Sequence, residues 1–131
     1  MENKFGAHLC FGPPVDPGFF YDAYFGDFHI TPDSLKVIEN EMKMVSRKKQ
    51  EFQRVVLTKS QALELFAYNP FKVQLIENKI PDEGMTTAYR CGNLIDLCTG
   101  PHVLHTGRIK MMKVTKHSSS YWLAKAENDS L

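Results

Sequence analysis

Three features of the sequence predict an α+β fold with an antiparallel sheet packed against a long helix. They are one extended stripe of apolar residues at helical spacing, shorter helical stretches punctuated by proline, and several brief runs rich in β-forming residues. The chain has 131 residues and a mass of 15.0 kDa, the size of one domain spanning 1–131 with most of its apolar surface in one core. Hydrophobic residues make up 43% and charged residues 24%, which excludes a largely disordered chain, a collagen-like repeat and a disulfide miniprotein. No apolar run approaches the ~18 residues of a membrane span, and the opening MENKFGAHLC holds no signal-type apolar region. Cys10, Cys91 and Cys98 are odd in number and irregular in spacing, which fits free thiols in a reducing compartment. The expectation is a soluble, cytoplasmic protein.

Taken in order, Gly6–Gly12 reads as a first strand, and the Pro-Pro-Val-Asp-Pro-Gly run at 13–18 as a turn. Phe19–Phe25 reads as a strand with aromatic residues on both faces, both of them covered. Thr31-Pro32-Asp33 opens a helix, with Thr31 as cap, Pro32 in the first turn and Asp33 at the positive end of the dipole. Leu35, Ile38, Met42, Val45 and Phe52 form its apolar stripe, read as core. Arg54–Leu57 is a short strand, Ser60 to about Tyr68 a helix, Asn69-Pro70 a break and Phe71–Asn78 a further helix. Four strands complete the chain: Thr86–Cys91, Leu94–Cys98, Ile109–His117 and Tyr121–Ala126. Trp122 and Tyr121 are read as core anchors.

The net charge of +1 conceals an asymmetry. Residues 1–33 hold one base against five acids, residues 34–89 nine against seven, and residues 90–131 six against three. The basic final third, and Arg47-Lys48-Lys49 at the end of the long helix, are compatible with a polyanion, although the sequence favours a solvated mixed surface over it. Lys110, Lys113 and Lys116 recur every third residue, so as a strand they would not share one face.

Cys91-Gly92-Asn93-Leu94 reads as a hairpin with a two-residue turn. Strand alternation then places Thr87, Tyr89, Asp96 and Cys98 on one polar face and Ala88, Ile95 and Leu97 on an apolar one. A site floor above a core has this division; so does a half-solvated sheet. Gly100 and Pro101 follow as a bend able to fold His102 toward the Cys98 thiol. With His105 the run is C-x3-H-x2-H, at most three ligands where a closed zinc site needs four. The residues alone favour a structural cysteine and a polar loop histidine, and a surface position for Lys72.

Three blocks in order, LCFGPPVDPGFFYD (9–22), YRCGNLIDLCTGPHVLHTG (89–107) and KHSSSYW (116–122), resemble the editing domain of threonyl-tRNA synthetase. This is the second additional domain shared with alanyl-tRNA synthetase and with free-standing editing proteins, here of the eukaryotic cytosolic type. The resemblance implies the threonyl/alanyl-tRNA synthetase editing-domain fold. It also implies hydrolysis of seryl-tRNA(Thr), a substrate that arises because a one-methyl difference gives a synthetic site only about 1–3 kcal/mol of discrimination. Cys98 and His102 match the family's Cys-x3-His pair, Asp96 the aspartate two residues before it, and Lys72 a lysine of the pocket. Tyr21 is implied as a pocket wall, and the face assignment adds Tyr89 as a substrate-side neighbour.

The implied partners are the acceptor end of tRNA(Thr) carrying serine and the remainder of the synthetase, with no membrane. The family's upstream His motif, H-x-x-x-H or H-x-x-x-E, has no counterpart among the five residues before Gly6. Met1-Glu2-Asn3 reads as the tail of its helix, so the chain is expected to be cut just after the motif. No metal is expected, since ligands used by zinc-type relatives are missing; ATP and magnesium would serve only the parent ligase. A non-catalytic tRNA-end binding fragment and a free-standing trans-editing deacylase remain alternatives.

Overall fold

The computed structural model describes residues 1–131. In chain order the elements are α1 (Glu2–Phe5), β1 (His8–Phe11), β2 (Asp22–Tyr24), α2 (Pro32–Lys48), β3 (Phe52–Thr58), α3 (Lys59–Leu65), α4 (Pro70–Lys79), β4 (Met85–Cys91) and β5 (Leu94–Leu97). Two 3-10 turns follow, at Thr106–Arg108 and Trp122–Ala124. All strand pairing is antiparallel: β1 with β2 in one ribbon, and β3-β4-β5 in a three-stranded sheet with β4 central. The fold is α+β, as the pattern of elements implied.

Local chemistry sets the helix starts. Thr31 and Ser34 form a reciprocal capping box ahead of α2, with Pro32 in the first turn. Thr58 and Gln61 do the same for α3, so that helix starts at Lys59, just ahead of Ser60. Asn69 caps α4 by accepting from the backbone N–H groups of Phe71 and Lys72. What reads along the chain as a helix break is therefore also a helix start.

α3 and α4 cover the apolar face of the three-stranded sheet. Ala62, Phe66 and Ile76 meet Ala88 there, with Leu57, Ile95 and Leu97 packed around them. The long helix packs elsewhere. α2 lies against the Thr106–Arg108 turn, where the Thr106 hydroxyl donates to the Val45 carbonyl at 2.7 Å. Its stripe of Leu35, Ile38, Met42 and Val45 is only half-buried, and Phe52 belongs to β3. The left-handed Lys49 that ends α2 separates Phe52 from that helix.

Four further expectations are corrected. Phe19 and Phe20 are 57% and 44% exposed, and the strand expected over 19–25 is only Asp22–Tyr24. Residues 109–117 are not a strand. Ser46 donates to the Ile109 carbonyl (2.6 Å) and the Val114 N–H donates to Glu39 (2.9 Å), so side chains of α2 satisfy this backbone in place of a neighbouring strand. Residues 121–126 form no strand either; Trp122 is buried against Phe71 in a 3-10 turn, whereas Tyr121 is exposed. The interior is three small clusters instead of one core, because α2 and the irregular final quarter contribute few fully buried side chains.

Candidate active site

The hairpin register is the one its sequence implied: Cys91 opposite Leu94, Tyr89 opposite Asp96 and Ala88 opposite Leu97. The Cys98 N–H donates to the Thr87 carbonyl at 3.1 Å and extends the ladder by one position. Period-two alternation puts Thr87, Tyr89 and Asp96 on the face away from the Ala88 core, joined by Phe52 and Arg54 of β3.

At the edge of this face three side chains from distant segments converge. The Lys72 ammonium lies 2.6 Å from Asp96 Oδ1 and donates to the Tyr21 hydroxyl at 3.1 Å. Tyr21 in turn donates to Asp96 Oδ2, and the Leu97 N–H donates to Asp96 Oδ1 at 2.8 Å. Lys72 is 4% exposed, so the surface position suggested by its local sequence does not hold. A lysine is buried to this degree only when its charge is met, and here Asp96 meets it. Burial, and then the Asp96 charge and hydrogen bond, push the Tyr21 phenol far above its ordinary range and keep it a donor.

Backbone geometry positions each member. α4 carries Lys72 in its first turn, and buried Asn69 fixes that turn while donating to the Leu9 carbonyl of β1 at 2.8 Å. Gly12 lets the Tyr21 ring approach: a Cβ there would stand 2.8 Å from the ring carbon Cγ. β5 delivers Asp96 from its opposite edge.

The Cys-Thr-Gly-Pro-His bend lies on the same face. The Cys98 thiol accepts the Gly100 N–H at 3.3 Å. Gly100 has φ +76° and packs on the Tyr89 phenol so closely that a Cβ would stand 2.9 Å from ring carbon Cζ. His102 is exposed, its ring 4.2 Å from that of Tyr89 and stacked at 4.8 Å on Phe52. No hydrogen bond joins His102 to Cys98; Tyr89 lies at the bend and links their surroundings. Cys98, His102 and His105 do not converge as a three-ligand set. Phe52, read as core of the long helix, and Asn69, read as a helix break, are the site-building residues whose role sequence reading misses, whereas Gly100 is the bend it expects. The Asn-Pro pair is the available signal for Asn69, as a helix cap with proline at the first position.

Residues 86–121 match the family described as the threonyl and alanyl tRNA synthetase second additional domain. Over 131 residues the chain is 50% identical to a cytoplasmic threonine–tRNA ligase of Caenorhabditis elegans, covering all of this chain and 18% of that protein. It is 46% identical to cytoplasmic threonine–tRNA ligase 2 of Mus musculus, again over its full length and 16% of the relative. Against the cytoplasmic enzyme of Saccharomyces cerevisiae it is 45% identical over 140 residues, 99% of this chain and 19% of the other. The chain therefore spans less than a fifth of the length of these relatives. Residues 86–121 thus have the sequence of a second additional domain of the synthetase type. In particular, the whole chain is homologous to a segment of eukaryotic cytoplasmic threonine–tRNA ligases.

Proposed function

We propose that this domain hydrolyses seryl-tRNA(Thr), with the acylated 3′ end lying across the open face between the Lys72–Asp96–Tyr21 group and His102. The observation that carries this reading is the buried Lys72, paired with Asp96 and Tyr21 at the edge of a polar sheet face. The Lys72 ammonium is held there with two of its three N–H donors engaged. In this reading the third donates to the oxyanion.

Water adds to the ester carbonyl carbon and a tetrahedral oxyanion forms. The bond from that carbon to the ribose oxygen then breaks. Serine leaves as the acid and the ribose regains its hydroxyl. His102 takes the proton of the attacking water and returns one to the ribose oxygen, a role worth about 10²–10⁴ in rate. Lys72 stabilises the oxyanion. Asp96, already accepting from Lys72, Tyr21 and Leu97, first holds Lys72 in place; a substrate ammonium has to compete for its remaining lone pairs. Cys98 holds the backbone of the bend through Gly100. Tyr21 and Tyr89 supply the walls, and the reading calls on no resident metal or organic cofactor.

The partners in this reading are tRNA(Thr) and the rest of a cytoplasmic synthetase. No helix is long and apolar enough to cross a membrane. The test is deacylation of seryl-tRNA(Thr) by this chain, by a chain extended at its N-terminus through the His motif, and by His102→Ala and Lys72→Ala in each. A rate at least ~100-fold lower is expected for His102→Ala. Unchanged rates in both variants remove the two roles. Hydrolysis by the extended chain alone reduces residues 1–131 to an acceptor-end binding fragment.

A further inference from the structure

Six cations, Lys43, Arg47 and Lys48 of α2 with Arg108, Lys110 and Lys113 of the segment beside it, are exposed, and none has a carboxylate within ion-pairing distance. The sequence separates these groups by some 60 residues; the fold joins them. Thr106 is tied to Val45 and Gln50, Ile109 to Ser46 and Val114 to Glu39, so residues 106–114 run antiparallel along α2. Between the two lies a cleft of about 290 Å³ lined by Met42, Lys43, Arg47, Ile109, Lys110 and Met111. Of the acidic side chains in the middle of α2, Glu39 accepts the Val114 N–H at the far end and Glu41 is paired with Lys4 at 2.8 Å.

We infer that this ridge is a phosphate-backbone contact for double-stranded RNA, holding the acceptor stem whose 3′ end enters the site proposed above. This rests on the editing reading, and two observations extend it. The charge is predominantly positive, free of direct ion pairs, and carried by ammonium and guanidinium groups, the chemistry that binds phosphate without reading bases. The ridge also adjoins the His102 end of the open face. Glu51 and His105 form a β-bridge, and the Phe52 N–H donates to the Leu104 carbonyl at 3.2 Å. The base of the ridge and the Phe52–His102 stack therefore lie on one continuous stretch of backbone. The inference places the single-stranded end of a duplex seated on the ridge beside His102.

The experiment measures binding of an RNA hairpin with a single-stranded 3′ end to the full chain as a function of salt. Lys43→Glu/Lys110→Glu is compared with Lys79→Glu/Lys125→Glu, which makes the same change in net charge at the end of α4 and beside the Trp122 turn, off the ridge. Lys43→Gln/Lys110→Gln covers the case in which the reversal misfolds, and thermal melts check folding of all three. The ridge variants are expected to bind at least ~10-fold more weakly, with a log–log salt slope shallower by about 0.9 for each phosphate they no longer neutralise. Equal weakening by the control, no effect of either ridge variant, or no measurable binding by the unaltered chain overturns the inference. So does adsorption to phosphatidylserine vesicles that depends on these residues while RNA affinity does not. Deacylation of a seryl ester on a short 3′-terminal oligonucleotide separates the two proposals. Ridge variants leave it unchanged, whereas failure of the editing reading shows as no hydrolysis even by the unaltered chain.

Discussion

Lys72 is held by one carboxylate and one phenol in a place where water reaches only a few per cent of its side chain, so its energetics are those of a buried ion pair. Removing one partner strands the other. Lys72→Met is expected to destabilise the domain by about 3–5 kcal/mol in chemical denaturation, toward the lower end because Asp96 keeps some solvent contact. Adding Asp96→Asn should recover part of that stability; additive effects would show that the two charges are not coupled. The thiol of Cys10 behaves differently. Burial pushes it up to about 12, so it stays neutral at physiological pH and should resist iodoacetamide in the native protein while Cys98 reacts, as read by mass spectrometry of the labelled peptides. The unfolded chain deprotonates this thiol near its ordinary value of 9.0, before the folded chain does. Stability contributed by Cys10 is thus complete below about pH 9 and falls as pH rises from there toward 12. The raised Tyr21 phenol acts in the same direction, above its ordinary value of 10.0. A midpoint that does not fall across this alkaline range contradicts both assignments.

At the scale of elements, α4 is the part on which the site most depends. Asn69 serves the first turn of that helix with its amide oxygen and the β1 backbone with its amide nitrogen, fully buried in both roles. Asn69→Ala leaves those N–H groups and the Leu9 carbonyl without partners, at an expected cost of about 2–4 kcal/mol in thermal unfolding. Asn69→Asp should restore the cap but not the bond to Leu9. The hairpin is the most legible element, since a Gly-Asn turn between alternating runs fixes register, and register alone fixes which side chains share a face. The final quarter is the least legible. Residues 109–117 have the alternation of a strand but no strand to pair with, and a single sequence does not show that Ser46 and Glu39 take up its backbone groups. The apolar stripe of α2 marks its helix correctly but not its neighbour, because periodicity identifies a face and not what lies opposite.

Across the whole molecule, the candidate site is legible residue by residue and hidden as a geometry. Asp96, Cys98 and His102 stand in one short run, and the family resemblance marks them together. That Tyr21 and Lys72 close on Asp96 is a fact of tertiary packing that local pattern does not contain; the residues around Lys72 argue for solvent. Phe52 is a similar case, since only the left-handed turn at Lys49 separates its strand from the preceding helix. The ridge of cations likewise needs the fold, because its halves come from the middle and the final third of the chain.

The phenol, the ammonium and the carboxylate that meet at this edge are 51 and 75 positions apart along the polypeptide. Closing loops of that length precedes any reward from the contacts they make. During synthesis the first two members emerge long before the third, and a growing chain that has not reached Asp96 holds no charge-matched pocket at all. On the editing reading, an incomplete or locally opened copy lacks the group assigned to the oxyanion, and activity would report that the domain has been made in full and has closed on itself.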